Sequence, residues 1–260
     1  MSQTALIAGT GALPALLAAE RPDLLICELE GFPSGLPAAI RFRVERLVPF
    51  LNDLIKRGIR QVCFAGAIQR PKIEASKFDF RTLTLVPRIM SAIQQGDDAT
   101  LRAVIALFEE KGLTVVGADR IAPGLVAEAG VLVGQVSERD RTDAARAGDI
   151  VAALGAVDVG QGAVVSRGLC LAVEALPGTD AMLDFVARTR QREGGVLFKA
   201  PKPGQDLRID MPAIGPRTVE KAAEAKLSCI CWKAGGVLML DRAATLRAAE
   251  QAGIALWGIA

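Results

Sequence analysis

Residues 5–20 read ALIAGTGALPALLAAE, and the order of residue types in this stretch indicates the fold class. The apolar run 5–8 predicts a buried strand, and Pro14 stands in the first turn of a helix predicted over 13–20. The glycine-rich turn between them is typical of the first strand and helix of a doubly wound sheet.

The same alternation of short apolar runs and helical patterns continues through the first half of the chain. Further strands are predicted at 24–27, 61–65 and 113–116, and helices at 45–57, 83–94 and 98–111. Strands separated by helices of about ten residues predict a parallel sheet with helices on both faces. Ligands of such sheets bind at the carboxyl ends of the strands.

The second half of the chain has more strands between its helices. Helices are predicted at 141–154, 181–191, 216–225 and 242–251, single strands at 163–165, 169–174, 196–199 and 254–257, and paired strands at 228–232 and 237–240. The predicted fold class is therefore α/β with two domains. We expect an N-terminal doubly wound parallel-sheet (Rossmann-like) domain over residues 1–132 and a C-terminal mixed α/β domain over residues 133–260.

No histidine occurs among the 260 residues, and its absence excludes several kinds of catalytic site. A Ser-His-Asp or Cys-His nucleophile and a His-ligated zinc or two-metal centre all need imidazole. Acid–base chemistry must then use Asp, Glu, Lys, Arg or Cys. The 31 basic and 29 acidic residues give a net charge of +2, which is too balanced for a nucleic-acid partner bound through its phosphates.

Cysteine usage and the start of the chain indicate the compartment. The five cysteines lie mostly among apolar residues and lack the spacing of a zinc or redox motif, as expected of buried thiols in a reducing compartment. Residues 1–19 are uncharged but are interrupted by Gly9, Gly11 and Pro14, so they resemble neither a signal peptide nor a membrane span. We therefore expect a cytoplasmic protein.

The segment most informative about chemistry is 199–212, which reads KAPKPGQDLRIDMP. If residues 206–210 are extended, Asp206, Arg208 and Asp210 share one face of the strand, because side chains alternate with a period of two. Lys199 and Lys202 add two ammonium groups upstream. The alternative is an exposed edge strand whose charges only pair with one another.

These residue types suit the chemistry of phosphate transfer. Asp206 and Asp210 are the candidate ligands of Mg²⁺ or Mn²⁺, which proteins often hold through one or two carboxylates and the phosphates of the substrate. Lys199, Lys202 and Arg208 could balance the negative charge that develops on a phosphoryl group. All five are therefore candidate catalytic residues.

Turns at strand ends offer further places for a phosphate or a sugar. Small residues after the first strand and again after residue 65 let a ligand approach backbone amides, and a helix N-terminus favours an anion. The alternatives are a plain tight turn, an ordinary loop and a simple helix N-cap near residue 179. The candidate substrate-binding residues are Gly9, Gly11, Ala12, Leu13, Ala65, Gly66, Arg70, Glu174, Gly178, Thr179, Asp180 and Gln205.

Together these motifs resemble the LpxI-type UDP-2,3-diacylglucosamine pyrophosphatases over nearly the whole chain. The resemblance lies in the motifs 7–14 (IAGTGALP), 65–66 with 70–71, 157–161 (VDVGQ), 174 with 178–183 (GTDAML), and 199–216 (KAPKPGQDLRIDMPAIGP). It implies hydrolysis of a UDP-linked diacylated glucosamine to UMP and lipid X, a cytoplasmic step of lipid A synthesis.

The resemblance also implies a setting for this reaction. Members of the family have two α/β domains with the ligand between them, use a divalent cation and form a homodimer. Water attacks the phosphorus on the sugar side. An Asp within 205–210 matches the essential acid of the family; Asp206 and Asp210 both remain candidates, and we prefer Asp206 because it follows Gly204 and Gln205. Since the substrate is a lipid, peripheral contact with the inner membrane is a further expectation.

Two other function classes remain open on the sequence. An NAD(P)-dependent oxidoreductase would place the cofactor pyrophosphate over residues 9–14, although Pro14 stands where the dinucleotide motif has Gly or Ala. A non-catalytic nucleotide-sugar-binding protein would bind the same ligand without turnover. Release of UMP separates the hydrolase from both.

Overall fold

The structure, a computed structural model, describes residues 3–68, 72–189 and 193–260, without the side chains of residues 97 and 98. The chain divides into two compact units, Met1–Pro123 and Gly124–Ala260. The sequence placed this boundary between 132 and 133, which falls inside a strand of the second unit. The run 130–134 is apolar and glycine-flanked because it is a strand, and the division comes earlier, after Pro123.

The first unit is built on five parallel strands; the parallel sheet was predicted, but only four of its strands were. The strands are β1 (Thr4–Ala8), β2 (Leu25–Leu29), β3 (Ile40–Phe42), β4 (Gln61–Ala65) and β5 (Thr114–Val116). Their order is β3-β2-β1-β4-β5, and every neighbouring pair is parallel. The chain therefore winds outward from β1 in one direction and then in the other, which confirms the doubly wound sheet.

Helices connect these strands. They are α1 (Leu13–Glu20), α2 (Leu47–Lys56), α3 (Phe80–Leu83), α4 (Val86–Gln94), α5 (Asp97–Glu109) and α6 (Ala118–Ile121). Short 3-10 turns precede α2 at Val44–Arg46 and α3 at Ala75–Lys77. All five residues of β1 are buried, as expected for the central strand of a sheet covered on both faces.

The second unit contains a mixed sheet of six strands. These are β6 (Gly130–Val133), β7 (Gly162–Ser166), β8 (Leu169–Val173), β9 (Val196–Lys199), β11 (Cys229–Lys233) and β13 (Ala255–Ile259), in the order β6-β13-β11-β9-β7-β8. Strands β9, β11 and β13 are parallel, whereas β6, β7 and β8 each pair antiparallel with a neighbour. This confirms the mixed α/β second half.

A smaller parallel sheet joins β10 (Ala213–Ile214) to β12 (Leu238–Met239). The prediction that residues 228–232 and 237–240 pair with each other is therefore wrong. The first of these segments is β11 at the centre of the large sheet, and the second is β12 of the small one. Both are apolar because both are buried, and burial alone does not specify a partner strand.

Helices cover both faces of the large sheet. They are α7 (Glu138–Gly155), α8 (Gly178–Thr189), α9 (Pro216–Glu224) and α10 (Arg242–Ala252). Successive residues of β11 alternate between two cores: Cys229 and Cys231 pack with α7, whereas Ile230 and Trp232 pack with the helices of the opposite face. The cysteines of this strand thus act as small core residues, as predicted.

A buried carboxylate ties α7 to the hairpin between β7 and β8. Asp143, on α7, is 1% exposed and accepts hydrogen bonds from the backbone N–H groups of Arg167 at 2.9 Å and Gly168 at 2.7 Å. Both turn residues have positive φ, 54° and 77°, as a two-residue hairpin requires. Asp143 therefore satisfies the amides of a tight turn. No helix within the described ranges is long and apolar enough to cross a membrane.

Candidate active site

Three strand ends and one helix start meet at one edge of the second sheet. Gly162, which begins β7, lies opposite Lys199, which ends β9. Ala163 lies opposite Val173 at the end of β8, and the chain then continues through Glu174 to the start of α8. The predicted residues 174, 178–180 and 199–210 are therefore gathered by the topology of one sheet edge.

Lys199 lies within this edge rather than on its surface. It is 5% exposed, and its Nζ donates a hydrogen bond to Oγ1 of Thr179 at 2.6 Å. The Thr179 hydroxyl in turn donates to Oε1 of Glu174 at 2.9 Å, and Lys199 Nζ lies 3.6 Å from Oε2 of Glu174. Within the described part of the chain, that Oε2 is buried without a hydrogen-bond partner.

Two glycines allow Glu174 to reach this position. A Cβ at Gly160 would lie 2.0 Å from the Glu174 carbonyl oxygen, and one at Gly162 would lie 2.6 Å from Oε2. Any side chain at either position would displace the connection between β8 and α8. The contacts of Lys199, Thr179 and Glu174 thus hold the start of α8 against the end of β9.

The segment after Lys199 is a folded loop, so the extended conformation considered for residues 206–210 is wrong. Residues 203–204 and 207–209 form turns, and the backbone N–H of Ile209 donates to the carbonyl of Asp206 at 3.3 Å. The polar and apolar residues that alternate over 206–210 lie in a turn that follows Pro203 and Gly204, and not in a strand. Asp206, Arg208 and Asp210 consequently do not share a strand face.

Gln205 is the centre of this loop. Its Oε1 accepts from the backbone N–H of Lys202 at 2.8 Å and from Nε2 of Gln161 at 2.7 Å. Its own Nε2 donates to the carbonyl oxygen of Asp210 at 2.8 Å and to Oδ2 of Asp210 at 2.6 Å. The amide predicted to bind substrate therefore organises the loop, and Gln161 connects that loop to the start of β7.

The charged side chains of the loop are paired. Arg208 donates to Asp206 through Nε at 2.9 Å and Nη2 at 2.6 Å, and the Arg208 backbone N–H adds a third bond at 3.1 Å. Lys202 Nζ pairs with Asp158, whose backbone is left-handed with a φ of 57°. The loop therefore presents two cations, each beside a carboxylate.

A divalent cation needs oxygen ligands that converge on one point. Asp206 and Asp210 supply the appropriate hard donors, but both oxygens of Asp206 accept from Arg208, and Oδ2 of Asp210 accepts from Gln205. Across the described residues, no group of three or more Cys, Asp or Glu side chains is arranged to hold a metal ion. The loop as folded does not fit a preformed Mg²⁺ site.

The start of α8 carries two more predicted residues. Gly178, with a φ of 85°, begins the helix, and the carboxylate of Asp180 accepts from Nε of Arg217 at 2.5 Å. Arg217 is mostly exposed, and the hydrogen bond that its guanidinium donates to Asp180 raises the pKa of Arg217 above the ordinary value. Asp180 therefore faces a cation of α9.

The first unit brings together the predicted residues that follow β1 and β4. Thr10 and Ala67 form an antiparallel bridge, with N···O distances of 3.0 and 2.9 Å. A Cβ on Gly66 would lie 2.6 Å from the Thr10 carbonyl oxygen, and one on Gly9 would lie 2.6 Å from that of Ala67. These two glycines thus permit two backbones to cross at the switch point of the sheet, where doubly wound folds bind ligands.

The remaining predicted residues of this unit lie at the start of α1. Gly11 and Ala12 are exposed and Leu13 is partly exposed, and no side chain caps the helix at Ala12. The start of α1 is therefore partly open to solvent, and it follows β1 at the carboxyl edge of the sheet, the edge at which Ala65 ends β4. Arg70 lies outside the described residues.

In a dinucleotide site, an acid about 20 residues after the glycine-rich turn binds the ribose; Glu28 and Glu30 stand at about that distance, but both have other partners. Glu28, near the end of β2, is 3% exposed and its Oε1 accepts from the N–H of Ser34 at 2.8 Å and from the Ser34 hydroxyl at 2.5 Å. The Ser34 hydroxyl, the Ser34 amide and nearby Arg41 hold the pKa of Glu28 below its usual value, against the opposing effect of burial. Glu30 pairs with Arg43.

Sequence reasoning omitted three partners of the site: Asp158, Gln161 and Arg217. The first two belong to the segment 157–161 (VDVGQ), which immediately precedes β7, and its presence among the motifs of the family resemblance was the signal available. Arg217 follows the proline that starts α9, and nothing local in the sequence points to its pairing with Asp180.

Two family models divide the chain in the same way as the structure. The LpxI N-terminal domain matches residues 3–125, and the LpxI C-terminal domain matches residues 128–257. The chain belongs to the LpxI family. One relative in the family is the UDP-2,3-diacylglucosamine pyrophosphatase LpxI of Caulobacter vibrioides, which is 39% identical over 277 aligned positions covering 100% of this chain and 98% of the relative.

Membership of the LpxI family assigns each group of candidate residues to a family domain. The turns after β1 and β4 lie in the LpxI N-terminal domain, and the Lys199 cluster with the loop that follows it lies in the LpxI C-terminal domain. The relative is named as a pyrophosphatase, a phosphoanhydride hydrolase, and the resemblance stated from sequence motifs is confirmed.

Proposed function

We propose that the protein hydrolyses the pyrophosphate bond of UDP-2,3-diacylglucosamine, releasing UMP and 2,3-diacylglucosamine 1-phosphate (lipid X), as a step of lipid A biosynthesis. The observation that carries the proposal is the full-length match to the Caulobacter relative, whose name states this activity. The residues at the edge of the second sheet support it, because they supply carboxylates and cations without histidine.

Hydrolysis of a phosphoanhydride depends mainly on positioning and charge stabilisation. Lys202 and Arg208 are the cations of the loop that could approach a phosphate, since their side chains are 17% and 42% exposed to solvent. Moving the Arg208 guanidinium onto substrate would release the carboxylate of Asp206, which could then orient a water molecule. Asp210 is the second candidate for that acid.

Lys199 has a different part in this proposal. Its ammonium group is buried and bonded to Thr179, so we assign it to positioning the loop and the start of α8 rather than to direct contact with phosphate. Backbone amides at the starts of α1 and α8 are the proposed anion-binding groups, because helix N-termini favour negative charge.

A divalent cation, Mg²⁺ or Mn²⁺, remains part of the proposal as a requirement to be tested. No step is assigned to it, because the oxygens of Asp206 and Asp210 are engaged within the loop. We also propose that the protein acts in the cytoplasm as a homodimer and contacts the inner membrane peripherally, where its diacylated substrate resides.

The decisive experiment incubates the purified full-length chain with UDP-2,3-diacylglucosamine and Mg²⁺, with and without EDTA. UMP release that EDTA abolishes and Mg²⁺ or Mn²⁺ restores supports the hydrolase and its cation. UMP release unaffected by EDTA supports the hydrolase and overturns the cation. In ¹⁸O-labelled water, label in lipid X and not in UMP supports attack at the phosphorus on the sugar side.

The same assay distinguishes the other function classes. Failure to release UMP at high enzyme concentration contradicts the hydrolase. Binding of the nucleotide sugar without turnover would indicate a non-catalytic binding protein. Binding of NAD(P) would indicate an oxidoreductase, although Glu28 is already bonded to Ser34 and Glu30 to Arg43.

A further inference from the structure

The short helix α3 presents two large apolar side chains to solvent. Phe80 is 83% exposed and Leu83 is 51% exposed. Their spacing of three residues puts them on one side of the helix, and Arg81 between them is also exposed. We call Phe80, Arg81 and Leu83 the α3 face.

The α3 face is held in place by specific contacts. The carboxylate of Asp79 accepts from the backbone N–H groups of Arg81 at 3.0 Å and Thr82 at 3.2 Å. Thr82 is buried, and its hydroxyl oxygen accepts from the backbone N–H of Val48 in α2 at 3.0 Å. A helix of one turn does not persist by itself, so these contacts keep Phe80 directed outward.

The chain leading into α3 is anchored as well. The backbone N–H of Glu74 donates to Oε1 of the buried Glu45 at 2.8 Å, and the Glu74 carboxylate accepts from Arg43 at 2.8 Å and from Lys77 at 2.8 Å. Ile73, just before this anchor, is 52% exposed. Persistently exposed apolar side chains on a fixed segment are typical of a binding surface.

The charge of the segment indicates what such a surface would bind. Residues 72–90 carry four basic side chains, Lys72, Lys77, Arg81 and Arg88, against two acidic ones, Glu74 and Asp79. Both acids are used internally, Glu74 by Arg43 and Lys77 and Asp79 as the helix cap. Arg88 pairs with Glu110 and Lys77 with Glu74, so the positive charge that the segment offers to an external anion lies mainly on Lys72 and Arg81, beside the exposed apolar side chains.

We propose that the α3 face docks the protein on a bilayer that contains anionic lipids. Phe80 and Leu83 enter the boundary between headgroups and acyl chains, and Arg81 contacts lipid phosphate. Amphipathic surface helices bind membranes by this combination of apolar burial and attraction to anionic headgroups. The surface is separate in sequence from the proposed catalytic residues, and membrane binding requires no turnover.

The test is co-sedimentation of the full-length chain with vesicles in the absence of nucleotide. One set of vesicles contains phosphatidylethanolamine and phosphatidylglycerol, and the other contains phosphatidylcholine alone. We expect binding to the anionic set, and binding about tenfold weaker after Phe80→Ser, because an inserted phenyl ring is lost. Leu83→Ser acts in the same direction, and Arg81→Glu weakens binding to the anionic vesicles most.

Matched controls lie elsewhere on the protein. Phe185→Ser removes a Phe that is 47% exposed on α8, and Arg139→Glu reverses an exposed charge on α7; both should bind vesicles as the parent chain does. Thermal unfolding of Phe80→Ser should match that of the parent. If this variant does not fold, Leu83→Ser carries the comparison.

Several results would overturn the proposal. These are a parent chain that ignores anionic vesicles, an α3 variant that binds them undiminished, and a Phe80→Ser variant whose oligomeric state changes in light scattering, which would make the α3 face a contact between copies. UMP release from substrate in detergent micelles tests hydrolysis apart from docking on a bilayer. In this assay, α3 variants should retain the KM of the parent chain. A raised KM would instead place the substrate's acyl chains on the α3 face.

Discussion

The ammonium nitrogen of Lys199 lies 3.6 Å from Oε2 of Glu174, and Thr179 bridges the two residues by hydrogen bonds. Both side chains are almost entirely withdrawn from solvent. A buried pair of this kind contributes little net stability while intact, but removing one partner leaves an uncompensated charge.

Glu174→Gln should therefore lower the free energy of unfolding by about 3 kcal/mol. The amide keeps the size of the side chain and removes the charge that faces Lys199. Urea denaturation of the parent and the variant measures the difference.

Glu193→Gln is the matched control, because Glu193 pairs with Lys226 on the surface, where an ion pair contributes about 0.5 kcal/mol or less. Equal effects of the two substitutions would show that removing the Glu174 charge does not leave an uncompensated charge on Lys199, and would contradict the prediction.

Asp206→Asn and Asp210→Asn test the acid of the loop. Loss of a catalytic group usually costs about a hundredfold or more in rate, so at least one variant should lose UMP release to this extent. The amide preserves the shape of the side chain, and the rate is measured with saturating substrate and Mg²⁺.

Asp149→Asn, at an exposed position of α7, should retain the parent rate. If both loop variants stay within about tenfold of the parent, the loop does not supply the catalytic acid.

Gly66→Ala should destabilise the first unit by about 3 kcal/mol. The added Cβ would lie 2.6 Å from the carbonyl oxygen of Thr10, at a backbone φ of 86°. Thermal or urea unfolding reports the loss.

Gly58→Ala separates the effect of the close contact from that of the positive φ. Gly58 also has a positive φ, 81°, but has open space around its Cβ position. It should cost only about 1 kcal/mol. A Gly66 variant no worse than the Gly58 variant would mean that the loops can move apart freely.

The pH dependence of stability should reveal the bond between Glu28 and Ser34. The pKa of Glu28 is lowered in the folded state, chiefly by the Ser34 hydroxyl. Its contribution to stability is therefore present above its ordinary pKa of 4.5 and is lost as the pH falls through the lower folded pKa.

Ser34→Ala should then destabilise the protein by about 2 kcal/mol at pH 7 and by clearly less at pH 3, as measured by urea denaturation at both pH values. Ser76→Ala, at an exposed position, should have no effect at either. A penalty for Ser34→Ala that does not change with pH would contradict the lowered pKa.

Local sequence was sufficient for most of the fold. The buried strands β1, β4 and β9 are continuous apolar runs, and glycine or proline marks their ends, so the pattern alone identifies them. The strand β3 was missed because three residues, Ile40–Phe42, are too few to show a period. The pairing of β12 with β10 could not be predicted either, since an apolar run indicates burial but does not specify the neighbouring strand.

The structure gathers the predicted residues 174, 178–180 and 199–210 at one sheet edge, but the sequence did not predict the contacts among them. Residues of the loop are held by partners far away in sequence: Gln205 by Gln161 and Lys202 by Asp158, each 44 positions apart. The period-two pattern over residues 206–210 carries no information about such distant contacts, and by itself it indicated an extended strand. The burial of Lys199 likewise depends on Glu174, which precedes α8 in the chain, whereas Lys199 follows that helix.

The two bonds that Asp143 accepts from the turn between β7 and β8 bear on the order in which the second unit folds. They connect α7 to the hairpin that follows it, at separations of only 24 and 25 positions. Contacts this local cost little loop-closure entropy. We therefore expect the stretch from α7 through β8 to acquire protection first in pulsed hydrogen exchange during refolding, before β9, β11 and β13 join it. The sheet edge proposed as the active site is then assembled last, when β9 brings Lys199 to a hairpin that is already formed.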